Sequence, residues 1–64
     1  MTREEVIQEI TDIAVELNLT FEDAAMEMLY QFYDAAGLNK GQVEAELEEM
    51  STEQLVNAVI DLYS

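Results

Sequence analysis

The sequence predicts an all-α fold, a compact four-helix bundle or array with short loops, and three observations carry that reading. Four helix-start signals punctuate the chain, an apolar stripe at helical spacing follows each, and no stretch sustains the period-two alternation of a half-buried strand. The expected helices cover about residues 3–17, 21–36, 40–49 and 52–63 of a single domain, 1–64. There is no Pro and the connections are short, so neighbouring helices are expected to turn back on each other.

The first helix starts at Thr2, with Glu5 three residues on completing a capping box in which each side chain satisfies a free N–H. Val6, Ile7, Ile10, Ile13, Ala14 and Leu17 then give one hydrocarbon face, and Asn18 can enter the left-handed conformation that ends a helix. Thr20 starts the second helix, and Glu22 and Asp23 favour its positive dipole end. Its expected core stripe is Phe21, Ala25, Met28, Leu29, Phe32 and Ala36, and Gly37 stops it, with Leu38 placed for the apolar contact that often follows. Asn39 and Gln42 form a cap-like pair ahead of Val43, Leu47 and Met50, a short third helix weakened by Gly41. Ser51 and Gln54 repeat the capping box, Met50 and Leu55 are placed for a hydrophobic staple, and Leu55, Val56, Val59, Leu62 and Ile60 form the fourth stripe.

Composition narrows the functional classes. At 64 residues a single core only just outweighs chain entropy, because roughly 60% of the unfolded surface can be buried. Neither Cys nor His is present, which removes disulfides and Cys/His zinc sites as staples. Fifteen acidic residues against Arg3 and Lys40 give a formal net charge of −13, a potential that repels nucleic acid and anionic membrane and attracts basic protein surfaces. No basic and apolar leader opens the chain and no apolar run approaches ~20 residues, so a soluble, cytoplasmic protein is expected.

The same inventory argues against catalysis, cofactors and metals. Nucleophilic chemistry needs a nucleophile beside a base; the chain offers Ser51, Ser64, threonines and tyrosines, several already assigned to helix caps, and no His or Cys. A calcium loop starting at Asp34 would put Ala36, Leu38 and Asn39 at its third, fifth and sixth positions and Ala45 at its twelfth, which is not an EF-hand. Nor is there an Asp-Ser-Leu carrier-protein motif or a phosphate-binding glycine loop. No catalytic, cofactor-binding or metal-ligating residue is therefore assigned.

Two sets of residues remain as partner-binding candidates. The first set is Glu44, Glu46, Glu48, Glu49 and Glu53: Glu44 and Glu48 sit one turn apart on helix 3, as Glu49 and Glu53 would if the helix continued, so carboxylates are expected in rows about 6 Å apart, able to imitate a phosphate backbone or meet a Lys/Arg patch. A purely solubilising face is the alternative, but the net charge exceeds the magnitude of about 2 to 8 that solubility usually requires. Met26, Tyr30 and Tyr33 form a second row on helix 2, which then has either a central, mostly buried position or a further interface. These features lead to the expectation of a small acidic protein-binding module that docks on a basic surface, an inhibitor or adaptor of a nucleic-acid-handling protein. Short acidic helical phage proteins that block host nucleic-acid enzymes share this character by analogy, without a shared motif. The alternative is a helical homodimer or accessory subunit with a merely solubilising acidic surface. Mutual repulsion among the acids is expected to raise their folded pKa values, so that mild acidification stabilises the domain.

Overall fold

Thr2 lies in extended backbone at φ −76°, ψ 163°, its hydroxyl accepts from the Glu5 N–H at 3.2 Å, and the Glu5 carboxylate accepts from the Thr2 N–H at 3.2 Å. Both halves of the capping box are thus formed, and α1 runs Arg3–Leu17 behind it. The structure is a computed structural model that describes residues 2–63, with Lys40 described by its backbone only; Ser64 lies outside the described residues. Among them the chain forms α1, then α2 (Phe21–Ala35), α3 (Lys40–Glu48) and α4 (Thr52–Leu62), and no strand. It is a small all-α helical bundle, as the periodicity predicts.

The two long helices end by the same device. Asn18 takes φ 57°, ψ 46°, and the Leu19 N–H reaches back to the Ala14 carbonyl at 2.8 Å while the Asn18 N–H bonds to Val15 at 3.4 Å. Gly37 takes φ 82°, with Leu38 N–H on the Tyr33 carbonyl at 2.9 Å and Gly37 N–H on Asp34 at 3.0 Å. A left-handed residue turns the chain so that two amides cover carbonyls the helix itself leaves open. The helix expected to end at 36 stops at Ala35, because Ala36 already belongs to this closing turn. α3 and α4 likewise stop one residue short of 49 and 63, where Glu49 and Tyr63 tighten onto carbonyls three residues back, those of Glu46 and Ile60.

Two local expectations change. Asn39 caps α3, but its carboxamide accepts from the Gly41 N–H at 2.9 Å, and Gln42 contributes only its backbone N–H to the Asn39 carbonyl at 3.2 Å. The Asn39 Oδ1 is turned to the amide two residues on, so α3 lacks the reciprocal box that Ser51 and Gln54 form at α4. Leu38, placed for an apolar contact after α2, is 51% exposed.

α2 is the central helix, packing against α1, α3 and α4. Val6 and Ile10 of α1, Ala24, Ala25 and Leu29 of α2, Val43 and Leu47 of α3, and Leu55, Val56 and Val59 of α4 make one buried cluster without a polar or charged member among the described residues. Met50 packs against it as Leu55 lies within it, which fits the staple. Phe32, expected in the core, is 48% exposed, and Leu17 is 55% exposed. Both sit in the last turn of a helix, and helical periodicity specifies the side of a helix but not how far along it the neighbours reach.

Side chains join the first turn of α4 to the first turn of α1 on one side and to that of α2 on the other. Arg3 pairs with Glu53 and donates to the Asn57 carboxamide at 3.1 Å, and the Thr52 hydroxyl donates to Glu22 at 2.9 Å. Each of these three positive helix ends carries acids in its own first turn, Glu4 and Glu5 in α1, Glu22 and Asp23 in α2 and Glu53 in α4, which offset it.

Candidate functional site: an acid-rimmed cleft between α2 and α3

Val43 and Leu47 point α3 into the core, and at 100° per residue this sets Glu44 and Glu48 on one flank and Glu46 and Glu49 on the other. On α2 the buried Ala24, Ala25 and Leu29 define the inner face, and Asp23, Met26, Glu27 and Tyr30 lie together on the side turned largely away from it, at spacing i, i+3, i+4, i+7. The two flanks meet in an open cleft of about 260 Å³ lined by Leu19, Asp23, Met26, Glu27, Tyr30, Glu44 and Glu48. Its apolar surface comes from Leu19, Met26 and Tyr30, all half-buried, and its rim carries four carboxylates from two helices.

The electrostatics agree with the geometry. The Tyr30 phenol is pushed above its ordinary value first by burial and then by the negative charges of Glu44, Glu48, Glu27 and Asp23. Each of those charges disfavours a further anion at the cleft, and by the same sign favours a cation. A second shallow depression, about 270 Å³, continues past Tyr30 along Gln31, Tyr33 and Asp34, where Tyr33 meets Phe32 edge to face with ring centroids 5.8 Å apart.

The structure therefore divides the sequence candidates. Met26, Tyr30, Glu44 and Glu48 come together in one cleft, and Tyr33 lines the depression beside it. Glu46 and Glu49 lie exposed on the far flank of α3. Glu53 is engaged with Arg3, and α3 ends at Glu48 with α4 starting at Thr52, so Glu49 and Glu53 do not share one continuous helix. The central position expected for helix 2 is observed, yet the row of Met26, Tyr30 and Tyr33 stays only half-buried. Asp23 and Glu27 were not singled out from sequence, although their spacing to Met26 and Tyr30 was readable; Leu19, in the α1–α2 connection, carries no such periodic signal.

Among the described residues no cluster of three or more acidic side chains is arranged to hold a metal ion, and no helix is long and apolar enough to cross a membrane. No protein-family model, curated protein or solved structure matches the chain.

Proposed function

We propose that this chain is a small acidic protein-binding module that docks on a basic protein surface in the cytoplasm, as an inhibitor or adaptor of a nucleic-acid-handling protein, and that it works by binding rather than catalysis. The observation that carries the reading is the α2–α3 cleft, where an apolar floor of Met26 and Tyr30 is framed by Asp23, Glu27, Glu44 and Glu48. An acid-rimmed apolar cleft suits a partner that brings both hydrocarbon and positive charge. Long-range attraction from a net charge of −13 speeds encounter, and the cleft then sets register.

Charge reversal on the two flanks of α3 tests this. Glu44→Lys with Glu48→Lys, and Glu46→Lys with Glu49→Lys, change the net charge equally but only the first pair alters the cleft. In pull-downs at about 0.15 M salt, where screening acts over about 8 Å, the first pair is expected to abolish capture of basic proteins and the second to weaken it modestly. Equal losses from both pairs would overturn the assignment to the cleft. A second reading, a homodimer formed through α2, draws on the half-exposed Phe32. A salt-insensitive dimer by sedimentation, disrupted by Phe32→Glu and capturing no basic partner, would favour it.

A further inference from the structure

Resting on that docking reading, we propose that the α2–α3 cleft is a receptor for one arginine side chain of the partner, its stem on Met26 and Tyr30 and its guanidinium between Glu44 and Glu48 of α3 and Asp23 and Glu27 of α2.

Three features select arginine over lysine. The carboxylates belong to two helices, so a bound cation faces acceptors on two sides; a planar guanidinium with five donors in a fork can address both, whereas an ammonium is a single compact point. Tyr30 lines the cleft between these acids, and an arginine face stacks on an aromatic ring while its edges remain available for hydrogen bonds. The apolar lining by Leu19 and Met26 suits the aliphatic stem and the weakly hydrated guanidinium better than a strongly hydrated ammonium. Met26 adds an unbranched thioether side chain that can adjust to the shape of the incoming stem. The aromatic and apolar lining is what separates this cleft from the other acidic surface: Glu46 and Glu49 supply charge without it.

The test titrates isotope-labelled protein with acetyl-Gly-Arg-Gly-amide and with its lysine counterpart, following backbone amide resonances at low salt. The arginine probe is expected to shift the amides of Asp23, Met26, Glu27, Tyr30, Glu44 and Glu48 and to bind about twofold more tightly than the lysine probe, the low end of an exposed cation–π contact, since an ammonium makes that contact as well. Tyr30→Phe keeps that preference and Tyr30→Leu removes it, each checked for unchanged helix content. Equal binding of the two probes, shifts spread to Glu46 and Glu49 on the far flank of α3, or no binding would each overturn the inference. Failure here is distinguishable from failure of the docking reading, because the charge-reversed pairs lose a basic partner whether that partner offers arginine or lysine.

Discussion

Glu22 shows how a carboxylate in a strongly acidic chain can still favour the folded state when ionised. Its pKa is lowered by the N–H of its own backbone and then by the Thr52 hydroxyl, and Glu5 is lowered by the backbone N–H and then the hydroxyl of Thr2. The expectation that repulsion would raise acidic pKa values therefore fails at these two residues. Donors in direct contact outweigh like charges that solvent and salt screen over about 8 Å. A folded pKa below the unfolded value gives stability that is present above the ordinary glutamate range and is lost as pH falls through the folded value. The stability difference between the parent protein and Glu22→Gln should accordingly be largest near neutrality and shrink as pH falls below the ordinary glutamate range in denaturant titrations. A difference that grows on acidification would contradict the assignment. Taking the difference cancels much of the repulsion among the remaining acids, which both proteins share.

At the scale of elements, the two glycines predict opposite signs. Gly37 sits at φ 82°, where an added Cβ meets nothing within 4 Å but the backbone itself is strained for an L side chain, so Gly37→Ala should lower stability by about 1–2 kcal/mol. Gly41 lies in the first turn of α3 with Asn39 Oδ1 as the nearest atom to an added Cβ, at 3.4 Å, and Gly41→Ala should raise stability by about 0.5 kcal/mol. Thermal melts of the two variants moving in the same direction would refute this account of the α2–α3 connection. The starts and stops of the helices were readable because caps are local: Thr2, Thr20, Ser51, Asn18 and Gly37 act within a few residues of themselves. Exposure at Phe32 and Leu17 was not, since it depends on where another helix ends. The cleft was legible only in halves. Met26 with Tyr30, and Glu44 with Glu48, each follow from one helix, but their meeting depends on how α3 returns across α2.

For the whole molecule, the core is small enough that one residue governs it. Leu29 is fully buried on the central helix, and Leu29→Ala should cost about 2–5 kcal/mol through lost burial and the cavity left behind. A domain of 64 residues has roughly 3–10 kcal/mol in total, so this variant is expected to lose most of its cooperative thermal transition. A melt within a few degrees of the parent would show that the core repacks around the gap. The acid excess likewise divides by place. Glu4, Glu5, Glu22, Asp23 and Glu53 stand in the first turns of α1, α2 and α4, and Asp23 also joins Glu27, Glu44 and Glu48 at the cleft. Net charge by itself could not distinguish these duties.

The pairing of Arg3 with Glu53 and Asn57 also bears on how copies of the protein treat each other. The chain has two basic residues: its single guanidinium pairs with Glu53 at the surface, and Lys40 is the other cation. On the proposed reading, a neighbouring copy offers the cleft little that fits and approaches it against thirteen excess negative charges. On that reading copies of the protein would compete little for one another's clefts, and a net charge of −13 keeps them apart in solution.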